Sequence, residues 1–257
     1  MSNDSPIGSP IKSGADLRTL SLDVADRVAR LTLQRPEAGN AFTMAMMREF
    51  IEALAGAAGK SDILVIRGAG ADFCLGRDRV EPMQGISPAQ AFQLVTDVNA
   101  GIDAYGGIVI NAVQGRAFGF GVGLVMRADI ALAAQDARFA LDEIKLGIPP
   151  MFIMSRILDH LPPKAAFDIV ASSREFGASE ALALGLVSRV VPAAALQTAT
   201  DALAAELRGR KPEVLRASKA YMLAIRQVPR AERAAYALEA QTGFAMSHAP
   251  TPSAGKR

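Results

Sequence analysis

The stretch Gly115-Arg116-Ala117-Phe118-Gly119-Phe120-Gly121-Val122-Gly123 places four glycines in nine positions. It follows the apolar run Ile108-Val109-Ile110-Asn111-Ala112-Val113, which is typical of a strand. Glycine permits backbone conformations and close approaches that a Cβ atom forbids. A helix beginning in this run would direct unpaired N–H groups and the positive end of its dipole toward a ligand. The pattern therefore predicts an anion or oxyanion site, and the run itself carries no acidic residue.

Length and composition limit the classes of protein that the chain can form. A chain of 257 residues and 27.0 kDa, half of it hydrophobic, fits one large domain or one domain with a helical appendage. A formal net charge of +2 argues against nucleic acid as the main partner. The single cysteine, Cys74, excludes internal disulfides, and His160 and His248 lie far apart, so we expect no metal site.

Targeting and membrane signals are not recognisable in the sequence. The N-terminal residues lack a basic segment followed by an apolar one, and no apolar run reaches membrane-spanning length. We therefore expect a soluble, cytoplasmic protein with no membrane partner. Residues 1–16 and 248–257 are predicted to be flexible tails. Between them we predict an α/β core over 17–190 and a helical subdomain over 191–247.

Strands and helices alternate through the first two thirds of the chain, which predicts parallel strand pairs with right-handed crossovers. The strands are predicted at 17–23, 27–34, 62–67, 108–113, 129–134 and 186–191, the first two forming a hairpin. One helix is predicted at 43–55, a second begins at Ser87 and Pro88, and a short third one follows the glycine run and ends at Met126. Three more are predicted at 193–207, 212–227 and 230–246. In the helix from Ser87, we expect one side to carry Phe92, Val95, Asn99 and Ile102.

A second glycine-containing loop, Asp72-Phe73-Cys74-Leu75-Gly76-Arg77-Asp78, follows the strand predicted at 62–67. Backbone N–H groups from two such loops can converge on one oxygen, as a thioester requires when it becomes an enolate. The simpler interpretation, that these glycines only permit tight turns and close packing, stays open. The pattern Gly119-x-Gly121-x-Gly123 is only weakly similar to a dinucleotide-binding fingerprint.

The pair Asp142-Glu143 lies on the connection after the strand predicted at 129–134. Adjacent acids on a loop usually face solvent. Beside an oxyanion site, however, a partly buried Glu143 could carry a proton, and repulsion from Asp142 could raise its pKa. Cys74 has no histidine near it in the sequence and is expected to pack as a small apolar group. The sequence contains no Gly-x-Ser-x-Gly motif, so a serine hydrolase is unsupported.

Five segments in order make the chain similar to one known family. They are Arg35-Pro36-Glu37-Ala38-Gly39-Asn40-Ala41, Phe73-Cys74-Leu75-Gly76-Arg77-Asp78, the run 115–123 continuing to Asp129-Ile130, the segment 139–149, and Ala181-x-x-x-Gly185-Leu186-Val187. Over residues 20–244 the chain resembles the enoyl-CoA hydratase/isomerase (crotonase) superfamily. The resemblance implies an α/β fold, a crotonase-like spiral of ββα units with a C-terminal helical trimerisation region.

The same resemblance implies a CoA thioester substrate, no cofactor beyond the coenzyme A of that substrate, and a homotrimer or a dimer of trimers. By position, the main-chain N–H groups of Arg77 and Phe120 would form the oxyanion hole. Glu143 would be the catalytic acid and base. The residues expected to line the substrate and CoA site are Ala38, Cys74, Gly76, Asp78 and Gly119.

Two departures from the family pattern bear on the reaction. Hydratases of this family carry a second Glu where this chain has Gly123, and dienoyl-CoA isomerases carry an Asp where it has Met151. Bulky residues at Phe118, Phe120, Met151 and Phe152 indicate an apolar acyl pocket. A single carboxylate favours a 1,3-proton shift of the Δ3,Δ2-enoyl-CoA isomerase type.

Three other functions stay open at this point. They are a hydratase with a non-standard second acid, a CoA-thioester hydrolase, and a CoA-binding module without catalysis. The side chain of Arg77 could face solvent, pair with Asp78 or Asp142, or contact a substrate carboxylate.

Overall fold

The computed structural model of the chain describes residues 17–82 and 85–248. These form two compact units, divided between Gly209 and Arg210. The predicted tails, 1–16 and 248–257, lie outside the described residues except for His248. Among the helices of the described residues, none is long and apolar enough to cross a membrane.

The secondary structure of the described residues can be given in chain order. The strands are β1 (Leu20–Ala25), β2 (Val28–Leu33), β3 (Ile63–Gly68), β4 (Ile108–Val113), β5 (Arg116–Phe118), β6 (Ile130–Ala134), β7 (Arg138–Ala140), β8 (Phe176–Gly177) and β9 (Arg189–Val191). The helices are α1 (Met44–Ala57), α2 (Pro88–Asp103), α3 (Phe120–Arg127), α4 (Met151–Ile157), α5 (Pro163–Ser172), α6 (Ala178–Ala183), α7 (Leu196–Arg208), α8 (Pro212–Ala224) and α9 (Arg233–Ser247). Short 3-10 helices over Pro36–Ala38 and Glu143–Leu146 lie beside the site.

Two sheets form the framework of the first unit. The larger has the strand order β1-β2-β3-β4-β6-β9, in which β1 and β2 are antiparallel and the following pairs are parallel. The smaller joins β5, β7 and β8. Every residue of β4 is buried, as expected for a strand that is covered on both faces. Because β3 and β4 are parallel neighbours, the loops that follow them leave the same edge of the sheet.

Most of the predicted elements are confirmed. The hairpin forms, and its two turn residues, Asp26 and Arg27, adopt the positive φ angles that such tight turns require. β4 has the predicted bounds, 108–113. Thr43 caps α1 by accepting a hydrogen bond from the Met46 amide, and Ser87 begins α2 with a capping box. Helix α7, predicted as part of the helical subdomain, lies in the first unit against β3, β4 and β6.

Of the four residues predicted to share one side of α2, Val95, Asn99 and Ile102 are buried, together with Ala91 and Val98. Phe92 is 45% exposed at the edge of that side. The spacing from Ala91 to Val95 continues the helical pattern, whereas Phe92 projects beside that face. This leaves the Phe92 ring free to contact residues near the site.

Asn40 joins the turn after β2 to the loop after β3. It is fully buried and adopts a positive φ of 55°. Its Oδ1 accepts a hydrogen bond from the Arg35 amide at 2.9 Å, and its Nδ2 donates to the carbonyls of Ala69 and Asp72 at 2.9 and 2.8 Å. The side chain therefore satisfies three backbone groups and holds the loop over 69–78 in place.

The second unit contains α8 and α9. Their tyrosines, Tyr221 and Tyr236, stack with ring centroids 5.7 Å apart. No residue of either helix is buried among the described residues. Their large exposed apolar side chains are Val214, Met222, Leu223, Leu238 and Met246.

Candidate active site

The loops after β3 and β4 are joined backbone to backbone. The Phe118 amide donates to the Cys74 carbonyl at 2.9 Å, and the Cys74 amide donates to the Arg116 carbonyl at 3.1 Å. A Cβ atom on Gly121 would lie 2.2 Å from the Cys74 carbonyl oxygen, closer than any side chain can approach. Glycine at position 121 is therefore required by the packing of one loop on the other.

This packing brings the predicted oxyanion residues together. Gly76, with φ of 96°, precedes Arg77, and a Cβ on it would lie 3.5 Å from the Phe120 amide nitrogen. Phe120 begins α3, so its N–H has no acceptor within the helix. Among the hydrogen bonds between described residues, neither the Arg77 amide nor the Phe120 amide has an acceptor. Two free donors on adjacent loops are what an oxyanion hole needs, although their role stays a prediction.

The carboxyl group of Glu143 lies against the N-terminus of α3. Gly119 caps that helix with φ of 50°, and its amide donates to the Ala140 carbonyl at the end of β7 at 2.9 Å. Glu143 follows β7, and a Cβ on Gly119 would lie 2.6 Å from Glu143 Oε1. The structure thus places the predicted acid next to the predicted amide of Phe120.

Glu143 is held in an environment that favours its neutral form. Its Oε2 atom is buried and has no hydrogen-bond partner among the described residues. Burial is the largest effect and raises the pKa of Glu143. A backbone hydrogen bond lowers the pKa by less, the charge of Asp142 raises it further, and the charge of Arg79 has a small lowering effect. A carboxyl group with a raised pKa can take up and return a proton near neutral pH.

The other carboxylates around the loop are paired. Asp142 Oδ1 accepts a hydrogen bond from Arg79 at 2.7 Å, and Asp78 Oδ2 accepts one from Arg35 at 2.9 Å. Burial favours a higher pKa for Asp78. The hydrogen bonds from Arg35 and the Val80 amide outweigh that effect, so the pKa of Asp78 lies below its usual range. Asp78 therefore serves as an ion-pair partner inside the protein.

Arg77 pairs with neither Asp78 nor Asp142. Its guanidinium carbon lies 5.8 Å from the centroid of the Phe92 ring, and Phe92 in turn contacts Phe152 of α4 at 5.6 Å between centroids. Its Nε atom is buried and has no acceptor among the described residues. Sequence reasoning missed this contact because it considered only solvent, Asp78, Asp142 and a substrate carboxylate as partners of the Arg77 side chain. The sequence carries no signal for a contact between residues on separate elements.

The remaining residues that are predicted to line the substrate site lie in these loops or in backbone contact with them. Ala38 ends the turn over Pro36–Ala38, and the next carbonyl, of Gly39, accepts a hydrogen bond from the Leu75 amide at 2.9 Å. Cys74 is fully buried, and burial raises the pKa of its thiol to about 12. The thiol therefore stays protonated and is not a nucleophile. Contacts of these residues with a substrate stay predictions.

Position 123, where hydratases that the chain resembles carry an acid, is occupied by glycine. The packing around this position does not require glycine. A Cβ on Gly123 would lie 3.7 Å from Ile153 Cγ1 and 3.9 Å from Phe120 Cδ2, which are ordinary contact distances. The described residues contain no group of three or more His, Cys, Asp or Glu side chains that could hold a metal ion. Near the N-terminus of α3, Asp142 is paired with Arg79, whereas the Oε2 atom of Glu143 has no partner among the described residues.

The sequence matches the family model for enoyl-CoA hydratase/isomerase over residues 23–249, and the chain belongs to this family. It is therefore an enzyme of the crotonase superfamily, which acts on acyl-CoA. Its fold confirms the architecture that the sequence predicts, a mixed α/β core with a C-terminal helical region.

Curated relatives and solved structures agree with this assignment. The chain is 31% identical over 215 residues to the hydroxycinnamoyl-CoA hydratase-lyase of Pseudomonas fluorescens, spanning 79% of this chain and 77% of that protein. It is 35% identical over 205 residues to a probable enoyl-CoA hydratase of Mycobacterium bovis, spanning 78% and 79%. An enoyl-CoA hydratase of Mycobacterium smegmatis superposes with a TM-score of 0.83 at 28% identity over 90% of this chain and 92% of the other. A Thermobifida fusca relative in complex with CoA gives 0.81 at 28% identity over 89% and 93%.

Gly121→Ala tests the contact between the two loops. We expect it to lower the free energy of unfolding by about 1–3 kcal/mol, because its Cβ would overlap the Cys74 carbonyl oxygen. Gly123→Ala, two residues later in the same helix, has room for its methyl group and is the matched control. Urea unfolding of both variants measures the difference. Equal loss of stability in the two would show that the contact at Gly121 carries no special cost.

Glu143→Gln tests the environment of the carboxyl group through the pH dependence of stability. Because the pKa of Glu143 is raised in the folded state, the wild-type protein loses stability as pH rises through that pKa. The glutamine cannot ionise, so we expect the variant to gain Tm relative to wild type at pH 8 and not at pH 4.

Glu180→Gln on α6 is the control of opposite sign. Hydrogen bonds from Arg174 lower the pKa of Glu180, so its contribution to stability is present above the unfolded pKa and is lost as pH falls. We expect this variant to lose Tm relative to wild type at pH 8 rather than gain it. A gain that is the same at every pH for Glu143→Gln would contradict the assignment of its environment.

Proposed function

We propose that the protein moves a double bond within an enoyl-CoA, from C3–C4 to C2–C3, with Glu143 as its acid and base. The observation that supports this best is the partly unpaired carboxyl group of Glu143, because the neighbouring carboxylate of Asp142 is paired with Arg79. The Glu143 carboxyl group lies at the end of α3 next to the Phe120 amide, with its Oε2 unpartnered among the described residues, while position 123 offers no second acid.

In the first step, the Glu143 carboxylate takes a proton from C2 of a 3-enoyl-CoA. The C–H electron pair delocalises through the double bond and onto the thioester oxygen, which becomes an enolate. The amides of Arg77 and Phe120 donate hydrogen bonds to that oxygen and stabilise its developing charge. Their free N–H groups need no reorganisation for this purpose.

In the second step, the protonated Glu143 returns the same proton to C4. The double bond then lies between C2 and C3, in conjugation with the thioester, and the carboxylate is regenerated. One proton leaves and one returns, so the reaction consumes no water and transfers no net electrons. We therefore propose that it needs no cofactor beyond the coenzyme A that the substrate carries.

Hydration of a 2-enoyl-CoA is the second candidate function. It is favoured by the names of the relatives, several of which are hydratases, among them the 2,3-dehydroadipyl-CoA hydratase of Escherichia coli at 32% identity over 75% of this chain. In this reaction water adds to C3 and a proton to C2. With glycine at position 123, Glu143 would have to serve both the water and the proton delivery.

The deciding experiment follows both reactions in purified protein. Incubation with trans-3-hexenoyl-CoA is expected to yield 2-hexenoyl-CoA, and Glu143→Gln is expected to slow that turnover by about 10²–10⁴-fold. Because burial raises the pKa of Glu143, the wild-type rate should increase with pH through a value above the usual carboxyl range. Glu180→Gln makes the same chemical change on α6 and serves as the control.

Products other than 2-hexenoyl-CoA would contradict the proposed isomerisation, and each would favour a different function. A 3-hydroxyacyl-CoA formed from crotonyl-CoA, without migration of the double bond in the hexenoyl substrate, would favour the hydratase. Release of free coenzyme A would favour a thioester hydrolase. Binding of acyl-CoA without turnover would favour a binding module.

We also propose that the chain assembles as a homotrimer or a dimer of trimers. In the second unit, α8 and α9 bury no residue of the described chain and expose Met222, Leu238 and Met246, a pattern typical of surfaces that other subunits cover. Sedimentation equilibrium is expected to give three or six times the 27.0 kDa chain mass. A stable species of one chain mass would contradict this assembly.

A cytoplasmic location is a further proposal. It is supported by Cys74, which is free and fully buried, as expected for a protein of a reducing compartment. Fractionation of the source cells measures it, and recovery with the secreted or membrane fractions would contradict it.

A further inference from the structure

Three consecutive charged residues, Arg77, Asp78 and Arg79, follow Gly76, and only two of them have partners among the described residues. Asp78 forms an ion pair with Arg35 at 2.9 Å, and Arg79 forms one with Asp142 at 2.7 Å. No hydrogen bond or ion pair of the described residues involves the guanidinium of Arg77, and its Nε atom is buried. A buried donor of a charged group without an acceptor is costly, which suggests that its acceptor is a ligand.

The guanidinium is held in place by an aromatic ring rather than by a carboxylate. It lies over Phe92 at 5.8 Å, and the Phe92 ring is itself in contact with Phe152 at 5.6 Å. A ring covers only one face of the guanidinium plane, so the N–H groups at its edge stay able to donate. The side chain is therefore positioned for a planar anion that accepts two parallel hydrogen bonds.

Apolar residues connect the neighbourhood of the guanidinium to helix α3. Phe152 lies in α4 beside Ile153, whose Cγ1 atom faces Gly123 of α3. Met151 and Phe152 expose 67% and 37% of their surface at the start of α4. An unpaired cation against such a surface attracts an anion more strongly than one in open solvent does.

We propose that the Arg77 side chain binds a carboxylate at the far end of the acyl chain, so that the preferred substrates are mono-CoA thioesters of dicarboxylic acids. The proposal deepens the proposed function, because it assumes that an acyl-CoA occupies this site. The backbone and the side chain of Arg77 then have separate roles. The amide of Arg77 contacts the thioester oxygen, and its guanidinium selects the distal group.

Binding of two non-reacting thioesters tests this specificity. Isothermal titration of the full-length protein compares 5-carboxypentanoyl-CoA with heptanoyl-CoA, which is uncharged at the same end and of similar length. We expect the dicarboxylic thioester to bind about tenfold more tightly or better, as a charged hydrogen-bonded pair allows. Arg77→Met is expected to remove this preference, and Arg77→Lys to keep part of it.

The ratio of the two affinities distinguishes loss of carboxylate recognition from general damage to the binding site. Any disturbance of the oxyanion amide by Arg77→Met affects both thioesters and cancels in the ratio. Arg79→Met removes the same charge from the same loop and should keep the ratio, because Arg79 is paired with Asp142. Equal affinities in the wild-type protein, or the same loss of preference in both variants, would overturn the proposal.

Failure of this inference can be told apart from failure of the proposed function. Isomerisation that depends on Glu143, together with equal affinities for the two thioesters, would overturn the role of Arg77 alone. A preference that depends on Arg77, without isomerisation of any enoyl-CoA, would overturn the reaction and leave the recognition of the carboxylate intact.

Discussion

The site depends on one close contact, that between the Gly121 backbone and the Cys74 carbonyl oxygen. No residue with a Cβ atom fits there, and the contact seats the loop after β4 on the loop after β3. The two loops can meet because their strands are parallel neighbours whose carboxyl ends share one edge of the sheet. With the loops fixed in this way, the amides of Arg77 and Phe120 lie together without acceptors.

Two carboxylates beside these loops are paired, whereas the two residues to which we assign function are not. Asp78 and Asp142 each have an arginine partner, which leaves Glu143 with an unpartnered Oε2 and Arg77 with an unpartnered Nε among the described residues. Each of these two atoms is buried without a hydrogen-bond partner, which lowers the stability of the folded chain. Such atoms are candidates for contact with a ligand or a reacting group, and the proposals for Glu143 and Arg77 also rest on their positions beside α3 and Phe92.

Sequence patterns could predict the large sheet and the position of Glu143, but not the pairing of charges. Buried strands such as β4 appear in the sequence as continuous apolar runs, and the glycine motifs mark the loops that follow these strands. The smaller sheet was not predictable because β8 spans two residues and shows no period. Arg35 and Asp78 are 43 positions apart, and only the folded chain brings them together. The contact between Arg77 and Phe92 was not predictable for the same reason, because the two residues lie on separate elements.

The glycines of α3 and its cap differ in why they are glycine. Gly119 has a positive φ and lies against the Glu143 carboxyl group, and Gly121 lies against the Cys74 carbonyl, so a side chain at either position would displace the site. Gly123 has neither constraint, because its missing Cβ would be at ordinary contact distance from Ile153 and Phe120. Backbone conformation and packing therefore explain why positions 119 and 121 are glycine, but not why position 123 is. Since a Cβ at position 123 would meet only side-chain atoms at ordinary contact distance, the fold itself does not exclude a second acid there, and the one-carboxylate reaction that we propose rests on the residue present and not on a steric constraint.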